Sequence, residues 1–182
     1  QCHKFQSKDE KERFIEFLKE ILKCKESFID IFKEYAVVAR IATVRTLYLK
    51  TNYCQLLQNI DTDYLEIKEF LGENKLVLTD IEIGTGDSHE QGKSVTILYF
   101  GDKKLVYKPK NLKICKAIEE FVLWCTDSAN LLPLRVPRGI YKEEYTYNEF
   151  IFPQYCKTDK EVENYYIRFG YLIALCYILN MN

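Results

Sequence analysis

Histidine is scarce in this sequence, with two in 182 residues, His3 and His89, which argues against a histidine-rich metal centre. Neither sign of charge prevails. The 26 lysines and arginines face 27 aspartates and glutamates, for a net charge of −1 and an isoelectric point near 6.2. A broad basic field for nucleic acid or an anionic membrane surface is therefore lacking. The seven cysteines, at positions 2, 24, 54, 115, 125, 156 and 176, include no C-x-x-C pair. Their odd number suits reduced thiols, and hence a cytoplasmic setting, better than a disulfide framework. No charged segment followed by an apolar core marks a secretion signal. The longest apolar run, from Phe169 to Leu179 with Gly170 inside it, is too short to span a bilayer, so no transmembrane segment is expected. There is no internal repeat and no low-complexity segment. What remains is ordinary for a globular chain, with 47% hydrophobic and 29% charged residues. The sequence begins at Gln1 and stops at Asn182 directly after that apolar run, without a Gly or Pro stop signal. It reads as a piece of a longer protein.

The first seventy residues carry helical periodicity. Ser7-Lys8-Asp9-Glu10 has the form of a capping box. After it Phe14, Phe17, Leu18, Ile21, Leu22, Phe28, Ile31, Phe32 and Tyr35 recur at helical spacing among lysines and glutamates. A second helical stretch runs from about Ala36 to Leu57, and a shorter one, from Tyr64 to Leu71, closes at Gly72. At Lys75 the period changes. Leu76 to Ile83, Ser94 to Phe100 and Lys104 to Lys108 read as strands, the last two joined through Gly101-Asp102. Pro109 ends the third strand because it has no amide to donate. Asn111 is placed to cap a helix through Ile114, Ala117, Ile118, Phe121, Val122 and Cys125. Two further strands are expected at Arg138–Tyr141 and Tyr147–Phe152. Thr158-Asp159-Lys160-Glu161 is a second capping box, opening a last helix through Leu179.

Between the first two strands lies Gly84-Thr85-Gly86-Asp87-Ser88-His89-Glu90-Gln91-Gly92-Lys93. Glycines let backbone amides approach phosphate oxygens with no side chain in the way. A turn-rich hairpin with no ligand has the same composition, and a short glycine motif alone does not decide between them. Lys108 ends the hairpin's second strand in Leu105-Val106-Tyr107-Lys108-Pro109-Lys110. A lysine on the third strand of a kinase-like sheet puts a point charge on nucleotide phosphates. The alternative is a plain strand lysine facing solvent. Its apolar neighbours and the glycine loop before it favour the phosphate reading. Glu119 and Glu120, on the following helix, are candidate partners for Lys108, although such glutamates more often form a solvated face. Glu149, Phe150, Ile151 and Phe152 suit a hinge that bonds adenine through backbone groups, or equally a core strand.

These segments together resemble a specific family. Gly86 to Val95 (G-D-S-H-E-Q-G-K-S-V) and Leu105 to Lys110 (L-V-Y-K-P-K) look like the dehydratase-domain signature of class II lanthipeptide synthetases. Phe121 to Cys125 (F-V-L-W-C), Tyr147 to Ile151 (Y-N-E-F-I), the helix from Tyr165 to Leu179, and Arg45-Thr46-Leu47 match further family segments in order. The matches cover about three-quarters of the chain, which is more specific than any one motif.

The resemblance implies an α+β fold. It would be a lipid-kinase-like N-lobe of antiparallel sheet plus helix, with an N-terminal helical layer and the first C-lobe helix. The corresponding parts are residues 1–74, 75–156 and 157–182. It implies a dehydratase that uses ATP and Mg²⁺ to phosphorylate Ser and Thr of a ribosomal precursor peptide, then eliminates phosphate to give dehydroamino acids. Asp87, His89 and Lys108 fall on family positions needed for phosphorylation. Gly84, Gly86, Gly92, Lys108 and Glu149 to Ile151 are the implied ATP-binding residues. A zinc cyclase domain of the parent protein is the implied partner, besides the precursor peptide. The family's Mg²⁺ ligands follow the last helix, so no metal site is expected within this sequence, and the chain alone is expected to be inactive. A different lipid-kinase-like enzyme, or a non-catalytic lobe that binds a peptide, are the alternatives.

Overall fold

A computed structural model of the chain describes residues 9–84 and 91–180. Among them are six helices and a five-stranded sheet, an α+β architecture. The chain divides into two compact units, Gln1–Cys54 and Gln55–Asn182.

The first unit is helical. Helix α1 spans Glu10–Ile21, α2 Lys25–Glu34, and α3 Ala36–Thr62, whose last turns belong to the second unit. The cap of α1 is Asp9, whose carboxylate accepts from the Glu12 amide at 3.0 Å. The expected cap Ser7 lies outside the described residues. The apolar periodicity from Phe14 to Tyr35 is split between two helices, because Leu18 and Glu20 carbonyls close α1 at Leu22 and Cys24 caps the next turn.

The second unit holds the sheet. Strands β1 (Asp80–Ile83), β2 (Thr96–Phe100), β3 (Lys103–Lys108), β4 (Gly139–Tyr141) and β5 (Thr146–Glu149) lie in the order β1-β2-β3-β5-β4, and every pair is antiparallel. Helix α4 (Tyr64–Leu71) precedes β1, α5 (Ile114–Ser128) joins β3 to β4, and α6 (Asp159–Ile178) follows β5. Side chains alternate across a strand, so one face of the sheet carries Leu98, Leu105, Tyr107 and Tyr147. These pack with Leu56 and Ile60 of α3 and Ile67 of α4 into the core. Leu98, Leu105, Ile67 and Tyr147 are fully buried.

Polar groups tie that core together. Asn59 donates to the Tyr107 hydroxyl at 2.9 Å. The nearly buried Asp63, between α3 and α4, accepts from the Tyr145 hydroxyl and pairs with Lys142, each at 2.8 Å, and Lys142 also reaches Glu66. A buried carboxylate is tolerated only with such partners.

Three local expectations are corrected. The strand expected from Leu76 begins only at Asp80. The Tyr64 hydroxyl takes both the amide and the carbonyl of Leu76, at 3.3 and 3.2 Å, so neither is left for a neighbouring strand. Asn111 does not cap α5 directly. Its side chain accepts from the Lys113 amide at 3.0 Å, a turn ahead of a helix that starts at Ile114. The last strand ends at Glu149 rather than Phe152. By contrast α6 opens with the expected capping box, in which Thr158 accepts from the Glu161 amide and Glu161 from the Thr158 amide.

Candidate functional site

The other face of the same strands carries Ile97 and Tyr99 on β2, Lys104, Val106 and Lys108 on β3, and Thr146 and Asn148 on β5. The register sets these side by side: Ile97 opposite Val106, Tyr99 opposite Lys104, Asn148 opposite Val106 and Thr146 opposite Lys108. Thr146 and Asn148 are buried, whereas Ile97, Tyr99, Lys104, Val106 and Lys108 are half-buried. This face mixes aliphatic surface with ammonium groups; the core face is almost wholly apolar and aromatic.

Lys108 therefore stands on the half-open face. Among the described residues its ammonium has no ion pair, and neither Glu119 nor Glu120 reaches it. Glu119 instead lines a cavity of about 590 Å³ with Glu66, Glu69, Arg138 and Tyr141, and Glu120 is exposed. Burial pushes the Tyr141 phenol up from its ordinary pKa, with Cys115 and Glu119 adding to the shift.

Gly84, the first glycine of the loop segment, lies at the Lys108 end of the sheet. Ile83, the last residue of β1, pairs with Thr96, which pairs with Tyr107, so Gly84 leaves the sheet at the same edge as Lys108. Gly84, Gln91 and Gly92 all have positive φ, at 78°, 62° and 78°. Such backbone suits glycine, which has no Cβ to crowd it. Gly86, Asp87 and His89 lie outside the described residues.

Glu149 sits at the opposite end of β5. Its carboxylate accepts from Arg135 at 2.7 Å and from the Arg138 amide at 3.0 Å, and its own amide donates to the Arg138 carbonyl. That side chain braces the β4–β5 edge rather than facing the sheet's half-open surface. Phe150 and Ile151 continue past the ladder. No backbone hydrogen bond holds Ile151 or Phe152 among the described residues. Glu149 stands three residue steps along β5 from Thr146, the partner of Lys108. That is roughly 10 Å of strand.

Lys104 was not singled out from sequence. Its Nζ lies 4.9 Å from the Tyr99 ring centroid, 4.9 Å from Phe150 and 5.6 Å from Phe152. Phe150 and Phe152 meet edge to face at 4.9 Å. The signal was present as Lys104-x-Val106-x-Lys108, the alternation that puts three side chains on one face. Among the described residues no group of three His, Cys, Asp or Glu could hold a metal ion, and no helix is long and apolar enough to cross a membrane.

A family model described as a domain of unknown function, DUF4135, matches residues 35–182. No curated protein matches the chain.

Proposed function

We propose a function from the premise that the chain belongs to the DUF4135 family: it is the nucleotide-holding part of a lanthipeptide synthetase dehydratase, an ATP-dependent kinase of peptide Ser and Thr. The family is associated with lanthipeptide synthetases, the proteins that the ordered motifs resemble. The observation that carries the reading is the placement of Lys108, half-buried and without an ion-pair partner among the described residues, at the sheet edge from which the glycine loop departs.

ATP fits these residues. Val106 and Ile97 offer apolar surface for a base, Gly84 and Gly92 allow backbone approach to phosphates, and Lys108 adds a fixed positive charge. ATP supplies the phosphoryl group; the chain orients it and offsets the charge that develops on its oxygens. In this reading Asp87 and His89 belong to the phosphorylation step by the resemblance alone. Mg²⁺ does not fit the described residues, since no cluster of ligands is present among them. The partners in this reading are the precursor peptide, as a separate substrate, and a zinc cyclase domain of the parent synthetase, with the reaction in the cytoplasm.

The test uses the full-length protein that carries this domain, with ATP, Mg²⁺ and an unmodified or a synthetic phosphorylated precursor peptide. Lys108→Ala is expected to lower phosphorylation on the order of a hundredfold or more, about 3 kcal/mol of transition-state stabilisation. Elimination from the phosphorylated peptide is expected to persist. Phosphorylation at the wild-type rate by a folded variant would overturn the assignment.

A further inference from the structure

The ladder between β3 and β5 ends at the pair Leu105 and Glu149. Beyond it, Phe150 and Phe152 share a side with Asn148 by the two-residue alternation of an extended chain, which brings both rings to Lys104. Tyr99, paired with Lys104 across β2 and β3, supplies the third ring. No carboxylate pairs with Lys104 among the described residues, and the Tyr99 hydroxyl is engaged with Glu82 at 2.6 Å. The three ring faces are thus what the ammonium has for a counter-charge. Where backbone hydrogen bonds stop, a cation held among aromatic rings takes over the attachment of residues 150–152 to β3.

We propose that Lys104 is a positioning residue for nucleotide: by latching Phe150 and Phe152 to β3, it sets residues 150–152, with the open backbone groups of Ile151 and Phe152, beside the seat of the base at Val106. This rests on the nucleotide reading above and adds a division of labour to it. Lys104 and Lys108, four residues apart on one strand face, stand about 13 Å from each other. Lys108 answers to the phosphates, and Lys104 answers to the base through the segment it anchors. Lys104 touches no phosphate in this scheme.

The probes are a fluorescent ATP analogue and inorganic triphosphate as its competitor, titrated against the whole chain and its variants. Lys104→Met keeps the length of the side chain and removes the cation. It is expected to weaken the ATP analogue about tenfold, the size of one partly desolvated cation–ring contact. Triphosphate affinity and melting temperature should stay within about twofold and a degree or two. Lys104→Arg, which also binds ring faces, should restore the ATP analogue. Lys108→Ala should weaken both probes. If Lys104→Met weakens triphosphate as much as the ATP analogue, Lys104 is a phosphate contact and the proposal fails. If it changes neither while Lys108→Ala changes both, the nucleotide reading stands and the latch is wrong. Should the wild-type chain bind neither probe, both fall together.

Discussion

The two faces of the sheet are made from the same strands and differ at every alternate residue. On the core face Leu98, Leu105 and Tyr147 are fully buried, and the polar groups that enter, Asn59 and Asp63, are matched by Tyr107, Tyr145 and Lys142. On the half-open face Val106 and Ile97 are flanked by Lys104 and Lys108, whose charges lack carboxylate partners among the described residues. A group that only stabilises is packed, as Tyr147 is, even though its buried hydroxyl finds no hydrogen-bond partner among the described residues. A group left poised for a ligand keeps its charge unanswered, at some cost in stability. The contrast predicts that substitutions of tightly packed residues change unfolding, whereas substitutions of Lys104 and Lys108 on the half-open face change binding.

The largest effect belongs to the core face. Tyr147 is fully buried, with ring centroids 5.4 Å from Tyr107 and 5.6 Å from Tyr145. Tyr147→Ala should cost about 3–5 kcal/mol in urea unfolding. A loss below about 1 kcal/mol would break the distinction between the faces. Next comes Gly139, where an added Cβ would lie 2.6 Å from the Asn148 side-chain nitrogen and 2.9 Å from the Tyr147 carbonyl. Gly139→Ala should destabilise by about 1–3 kcal/mol, since the backbone neighbour cannot step aside.

A third prediction concerns alkaline pH. Burial first, and then the hydrogen bond to Asp63, raise the Tyr145 phenol from 10.0 to about 12. Burial likewise raises Tyr147 and Tyr107, and the Asp63 hydrogen bond raises Lys142. Each group holds its proton more tightly folded than unfolded, so the stabilisation is complete below pH 10 and is lost as pH rises toward 12. The melting temperature should fall across that window, and less steeply in Tyr145→Phe. A flat profile in the wild type would show that these phenols are not held as described. The smallest effect sharpens the comparison from the other side: Lys108→Ala should change stability by less than about 0.5 kcal/mol, read by the same urea unfolding.

Much of this arrangement was legible in the sequence. The strands around Leu98 and Leu105, the hairpin at Gly101-Asp102, the α4 stop at Gly72 and the Thr158 capping box all act between near neighbours in the chain. Contacts between distant residues were not legible. The Tyr64 hydroxyl that takes the backbone of Leu76, the Asp63 link to Tyr145, 82 residues away, and the Arg135 grip on Glu149 depend on tertiary placement. In the candidate site, Lys108 and the glycine loop could be singled out from spacing. The aromatic enclosure of Lys104 could not, since it needs the β2–β3 register and the path of the chain beyond β5. Asp87 and His89 rest on the sequence resemblance alone.

The central claim is that the half-open face holds a nucleotide with its phosphates at Lys108. An acyl phosphate of ATP transfers its acyl group to an amine lying beside the phosphates. Treated with that reagent and mapped by peptide mass spectrometry, the chain should carry the label at Lys108, and excess unmodified ATP should suppress it. Label spread evenly over the exposed lysines, or label at Lys108 that ATP does not reduce, would contradict the account.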